Sequence, residues 1–211
     1  MLDSQIFKST MPLSKATITP KRLARLTATA AQRQAGLVLV LEDIHDPHNA
    51  AAMLRTCDGL GVQDVYFIFE QEELYNPRKI GKVTSSSANK WITFHIYRSA
   101  KECFRDLKKA GYEIYSTIVS SGAEDASHAK LTAKKIALVV GNEHRGISET
   151  AKQMSSRLLY LPMRGFVESF NVSVTAALFM YEIIRQRMQA GKKSTLSAKE
   201  TKKLVAEFRK R

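Results

Sequence analysis

Six short apolar runs, rich in β-branched and aromatic residues, recur along the chain with helix-like segments between them, and this alternation restricts the fold more than any other feature. The runs are LVLVLE (37–42), VYFIFE (65–70), WITFHI (91–96), EIYSTIV (113–119), IALVVG (136–141) and LLYLP (158–162). Helix candidates lie near 49–60, 99–110, 148–155 and 171–190. Strands alternating with helices predict an α/β fold with a mostly parallel sheet covered on both faces. LVLVLE, apolar at successive positions, suits a strand buried on both sides. With 211 residues, 44% of them hydrophobic, the chain can bury a substantial single core.

The net charge of +13 is unevenly placed. Residues 1–35 carry six Lys/Arg against one acid and residues 185–211 carry ten against two, whereas the segment between is balanced at seventeen of each. A neutral body with basic ends predicts a polyanionic partner, nucleic acid above all, against the alternative of ordinary solvated helix faces. The candidate RNA contacts are Lys21, Arg22, Arg25, Lys192, Lys193, Lys202 and Lys203. The expected organisation is a basic helical extension over 1–35, a central domain over 36–190, and a second basic extension over 191–211, where Leu204, Val205 and Phe208 form an apolar stripe.

Cys57 and Cys103 form neither a disulfide framework nor a CxxC or Cys/His metal pattern, so a reducing, cytoplasmic setting without a metal is expected. No run approaches the roughly 18 apolar residues of a membrane span, and no apolar signal stretch opens the chain. The acid-poor start also suits a transit segment, but TPKRLARLTATAAQRQ has the pattern of a capped helix belonging to the fold.

In open α/β sheets ligands gather beyond the carboxyl ends of the strands, and three such loops carry polar chemistry. In EDIHDPHNAAAMLRTCDGLGV (42–62), Pro47 is read as keeping His48 extended, Asn49 as the helix cap, and Gly59 or Gly61 as the stop. Ala50, Met53, Leu54 and Cys57 share one apolar stripe, and Arg55 points to the opposite side. Arg55 is there either an ordinary solvated residue or a guanidinium fork facing a second subunit or an RNA phosphate. VVGNEHRGIS (139–148) sets Asn142, Glu143, His144 and Arg145 between two glycines and fits no phosphate-loop pattern; a tight turn and a site remain equally open. In LPMRGFVESFNVSVTAAL (161–178), Ser169 or Asn171 can cap a helix whose core stripe is expected to include Val174, Ala177, Leu178 and Tyr181. One cap leaves Gly165, Glu168 and Ser173 unexplained, which points to a ligand-facing loop.

These three segments, in this order and spacing, resemble the SPOUT superfamily of methyltransferases, most closely its TrmH branch of tRNA guanosine 2′-O-methyltransferases. The likeness extends to the leading helix TPKRLARLTATAAQRQ, the segment SSSANKW and the basic tail. The resemblance implies an α/β parallel-sheet SPOUT fold with a C-terminal deep trefoil knot, a homodimer, and S-adenosylmethionine held beside the subunit boundary. Periodicity shows no knot, and knots are rare among folds. Matched position by position, the resemblance implies cofactor contacts from Thr117, Gly141, Glu143, Leu161, Met163 and Phe170, the last standing where the family usually has leucine. It assigns Asn49, Arg55, Glu143, Ser169 and Asn171 to the active site.

The implied reaction is 2′-O-methylation of tRNA at the D-loop guanosine, position eighteen, with basic ends gripping the tRNA backbone. Alternatives are another tRNA position, ribosomal RNA, or a catalytically silent RNA-binding protein on the same scaffold. Ribosomal enzymes of this class often carry a separate amino-terminal RNA-binding domain, for which about 35 residues leave no room. Arg55, which the resemblance makes the activator of the 2′-hydroxyl, is a poor proton acceptor because its pKa exceeds about 12. Gripping a phosphate and steadying the developing alkoxide is the role its chemistry permits.

Overall fold

A computed structural model describes residues 18–80, 88–119, 122–191 and 194–211. Seven strands form one parallel sheet in the order β3-β2-β1-β6-β4-β7-β5. They are β1 (Leu37–Glu42), β2 (Asp64–Ile68), β3 (Thr93–Tyr97), β4 (Glu113–Thr117), the two-residue β5 (Glu124–Asp125), β6 (Ile136–Val140) and β7 (Arg157–Tyr160). The helices are α1 (Pro20–Ala31), α2 (Pro47–Leu60), α3 (Ala100–Lys109), α4 (Glu149–Met154), α5 (Val172–Gln189) and α6 (Ala198–Phe208).

Every residue of β1 is buried because its two faces feed two cores. Leu37, Leu39 and Leu41 join Leu138, Met53, Cys57, Phe179 and Ile183 under α2 and α5. Val38 and Val40 join Val139, Cys103, Phe104 and Ala151 under α3 and α4. The alternation of side chains along a strand thus turns one uninterrupted apolar run into the wall of both layers. The central position of β1 and β6 follows, since only strands apolar on both faces can lie under helices on both sides.

The start of α2 differs from the sequence expectation. Asp46, not Asn49, is the cap: it is extended (φ −88°, ψ 113°), and its carboxylate accepts the N–H of His48 at 2.8 Å. His48 is helical. Proline constrains the residue before it, which holds Asp46 out of the helix and leaves Pro47 at the first helical position. Asn49 is thereby released for another partner. Gly61 ends the helix at φ 79°, a left-handed conformation glycine tolerates best.

Helix α5 also departs from the sequence expectation. Ala176, Phe179, Met180 and Ile183 face the core, whereas Val174, Leu178 and Tyr181 are 43%, 42% and 60% exposed. The expected stripe is real but lies on the other side: this helix is apolar around most of its circumference, so periodicity could not choose the inner face. Asn171 caps α5, accepting the N–H of Ser173 at 2.8 Å.

The two basic helices pack together. Leu26 and Ala30 of α1 meet Leu204 and Phe208 of α6 in a separate buried cluster, with Trp91 edge-on to Phe208 at 5.4 Å. Residues entering α6 return beside the end of α1, where the Ala35 N–H donates to the Ser194 carbonyl and that of Leu196 to Arg33. Several cations of the terminal segments are structural. Arg33 is buried against Asp58, Arg187 donates to the carbonyls of Ala35, Gly36 and Ala133, and Arg211 donates to that of Trp91 at 2.6 Å. Phe208→Ala should therefore cost about 3 kcal/mol of stability, read as a lowered urea midpoint. An unchanged midpoint would mean that α6 contributes nothing to the folded body.

Candidate functional site

The three polar loops meet at the carboxyl edge of the sheet. Glu143, in the turn that follows β6, points its carboxylate at the first turn of α2. One oxygen accepts the backbone N–H of His45 at 2.9 Å; the other accepts that of Asp46 at 3.2 Å and the side-chain amide of Asn49 at 2.8 Å. A carboxylate here satisfies donors at a helix start and sits favourably in its dipole. Asn49 Oδ1 accepts in turn from Asn171 Nδ2 at 3.0 Å, and Asn171 Oδ1 accepts from the Ser173 hydroxyl at 2.6 Å. Glu143, Asn49 and Asn171 therefore form one hydrogen-bonded chain through all three segments. They line a cleft of about 530 Å³ together with His45, Asp46 and His144.

Local geometry explains why the sequence closes this way. Gly146 takes φ 68°, and a Cβ on Gly141 would collide with the backbone of Gly146 and Ile147. The glycine at 141 is thus required by the turn itself, which Asn142 and Gly146 close through reciprocal backbone hydrogen bonds of 3.0 and 2.9 Å. Asn142 Oδ1 accepts the N–H groups of His144 and Arg145, and Ser148 donates to buried Glu42 at 2.6 Å. Burial raises the carboxyl pKa of Glu42, partly opposed by the bonds from Ser148.

Thr117, Gly141 and Leu161 lie at neighbouring strand ends. Ser116 of β4 faces Val139 of β6, and Thr117 faces Leu159 of β7, so the three chains leave the sheet side by side. Met163 is half-buried and Phe170 is 41% exposed, in a segment without regular secondary structure. Of the expected cofactor residues only Glu143 lines the polar cleft; Thr117, Gly141 and Leu161 border the adjoining strand ends.

Arg55 and Ser169 are exposed and do not line the cleft. Arg55 lies one helical turn before Gly59, which places it on the flank of a second depression. That groove, about 550 Å³, is apolar and runs between Thr56, Gly59 and Leu60 of α2 and Val174, Leu178 and Tyr181 of α5. Lys21, Arg22, Arg25, Lys202 and Lys203 are all exposed on the paired helices α1 and α6; Lys192 and Lys193 lie outside the described residues. Asp43 and Glu72 were not singled out by sequence, yet both brace the cleft. Asp43, at φ 50°, accepts three consecutive N–H groups of residues 70–72, a role with no local sequence signal.

Among the described residues there is no cluster of three or more metal-ligating side chains, and no helix is long and apolar enough to cross a membrane. A parallel sheet with a polar cleft beyond its carboxyl edge defines an open-sheet α/β protein with a ligand site where that class places one. The model of the SpoU rRNA methylase family matches residues 36–181. The chain belongs to that family. It is 36% identical over 178 residues to the tRNA (guanosine(18)-2′-O)-methyltransferase of Thermus thermophilus, covering 82% of this chain and 87% of the relative. The Escherichia coli protein of the same name is 33% identical over 172 residues, covering 82% and 73%. The crystal structure of the A. aeolicus TrmH/SpoU tRNA modifying enzyme superposes with a TM-score of 0.80 at 29% identity, covering 89% of this chain and 94% of that one.

Proposed function

We propose that the protein transfers a methyl group from S-adenosylmethionine to the ribose 2′-hydroxyl of a tRNA guanosine, position 18 of the D-loop. Relatives of that name match most of the chain at 30–36% identity. The observation that carries the reading onto this chain is the hydrogen-bonded line Glu143–Asn49–Asn171, which joins the three segments into one polar wall.

The donor's chemistry fits the residues present. Three adjacent parallel strand ends offer backbone donors and acceptors, and the half-buried apolar side chains of Leu161 and Met163 beside them suit the faces of a purine. When bound, S-adenosylmethionine supplies an electrophilic methyl on a sulfonium that is already a good leaving group. Thr117, Gly141, Leu161, Met163 and Phe170 would hold the nucleoside. Asn49, Glu143, Ser169 and Asn171 would align the target ribose, whose oxygen would take the methyl carbon as the carbon–sulfur bond breaks to leave a neutral thioether and the hydroxyl proton passes to phosphate or water. Alignment of this kind contributes much of the rate in transfer reactions.

The apolar groove between α2 and α5 supports a homodimer: a self-complementary patch buried around a two-fold axis removes Val174, Leu178 and Tyr181 from water. Arg55, on its flank, then faces the partner's cleft, where its fork grips the phosphate beside the target and steadies the alkoxide. Arg55→Lys keeps the charge and loses the fork, so kcat should fall about 100-fold with unchanged donor affinity. Full activity of that variant would count against the role. A trefoil knot through the 139–148 and 161–178 segments belongs to the same reading, and the position of β6, late in sequence and central in the sheet, is compatible with it. Docking of tRNA on the basic extensions 1–35 and 191–211, on which Lys21, Arg22, Arg25, Lys202 and Lys203 are exposed, belongs to it as well.

The deciding experiment is incubation with bulk tRNA and labelled S-adenosylmethionine, followed by mass-spectrometric mapping. Label at the 2′-oxygen of the D-loop guanosine is expected. Label confined to ribosomal RNA, or none together with no donor binding by calorimetry, would overturn the proposal.

A further inference from the structure

One side chain reaches the cleft from outside all three loops. Glu72, in the segment between β2 and β3, places Oε2 2.9 Å from His45 Nδ1, while Oε1 accepts from Arg145 at 2.7 Å and from Asn142 Nδ2 at 3.2 Å. Its own position is fixed from behind, because the Asp43 carboxylate gathers the N–H groups of Glu70, Gln71 and Glu72 at 2.8, 3.0 and 3.1 Å. Asp43 adopts φ 50° to do so, a conformation retained only where surrounding contacts over-determine it.

We propose that Glu72 is a positioning residue that holds His45 and Arg145 as a cationic pair for an RNA phosphate at the rim of the cleft, an assignment that rests on the RNA methyltransferase reading above. The Glu72 side chain is 17% exposed, whereas those of His45 and Arg145 are 61% and 49% exposed. The carboxylate therefore stands behind, and the two cations stand in front. An ordinary surface ion pair contributes little to stability, whereas here one carboxylate, in a segment anchored from behind by Asp43, holds two more exposed cations at once.

A cationic rim is useful here because the acidic groups lining the cleft, Asp46 and Glu143, repel a phosphate. His45 directs Nδ1 to Glu72, which leaves Nε2 as the outward donor once the ring is protonated. The charged and titratable groups around His45 are Glu72 from the β2–β3 segment, Glu143, His144 and Arg145 from the β6–α4 loop, and its chain neighbour Asp46. Their combined effect raises the imidazole pKa, chiefly through the hydrogen bond to Glu72 and that group's charge, with Arg145 opposing. A raised pKa means that the cation is present below it and lost as pH rises through it. The contribution of His45 to RNA binding should fade with rising pH, later in the wild type than in any variant lacking the Glu72 charge.

Glu72→Gln separates this role from its alternatives by sign. Removing an uninvolved surface acid makes the protein more attractive to a polyanion and should tighten tRNA binding. A positioning role gives the opposite: affinity for tRNA near neutral pH about fivefold weaker, as expected for a lost contact of about 1 kcal/mol, with S-adenosylmethionine affinity unchanged. The His45 ring, assigned by comparison with His45→Asn, should titrate at lower pH in Glu72→Gln by NMR of the free protein. Unchanged or tighter tRNA binding, an unmoved His45 midpoint, or tRNA and donor affinities falling in step would each overturn the proposal. Wild-type protein that neither binds nor methylates tRNA would sink the underlying reading and the phosphate role with it, while the NMR midpoint would still report the ion pair.

Discussion

Glu143→Ala should reduce kcat/KM at least about 100-fold, because a displacement of roughly 1 Å at an aligned site already costs that much. The carboxylate satisfies three donors, the N–H groups of His45 and Asp46 and the amide of Asn49, and alanine leaves all three without their acceptor. A lost hydrogen bond to a charged group costs about 1.5–3 kcal/mol, and with three of them gone the start of α2 should shift and release Asn49 from Asn171. Glu143→Gln should be nearly as damaging. All three partners are donors, and the new amide nitrogen would face one of them. Steady-state kinetics beside thermal melts would check this. A glutamine variant with wild-type kcat/KM would show that the three-way acceptor is not what aligns the site.

Leu178→Asp should separate the proposed dimer while leaving each subunit folded. Leu178 is 42% exposed and lines the α2–α5 groove, so a carboxylate there is solvated in the monomer. In a two-fold interface the substitution enters twice, and each buried, unpaired carboxylate costs several kcal/mol. The dissociation constant should rise more than about 1000-fold, measured by sedimentation, with an unchanged far-ultraviolet spectrum. Methylation should fall with dimer occupancy, because Arg55 lies on the groove's flank and would lose the partner's cleft. Wild-type protein that sediments as a monomer while fully active would remove both the dimer and this role for Arg55.

Six of the seven strands and their parallel class were legible from residues alone, whereas the two-residue β5 and the order of the strands were not. Runs such as LVLVLE and IALVVG are apolar at nearly every position, and only strands buried on both faces have reason to be. The outer side of α2 was legible as well, since Ala50, Met53, Leu54 and Cys57 are buried and Arg55 is exposed. The inner face of α5 was not. With apolar residues on both sides, its orientation is set by what it packs against, Phe179 and Met180 toward the sheet and Leu178 and Tyr181 away. The α2 cap escaped for a local reason: the effect of Pro47 falls on Asp46 rather than His48, which frees Asn49 to meet Glu143 and Asn171.

By itself the sequence determined a doubly covered parallel sheet, the loops that carry its polar chemistry, and basic residues gathered toward both ends, because burial period, turn residues and charge are properties of neighbouring positions. Only the tertiary structure decided that Glu143, Asn49 and Asn171 form one chain, that Glu72 stands behind His45 and Arg145, and that Arg33, Arg187 and Arg211 serve the fold. The bond between Asn49 and Asn171 spans 122 residues of sequence. A hydrogen bond has no signature along a chain; it exists only where the packing of the sheet brings donor and acceptor within about 3 Å.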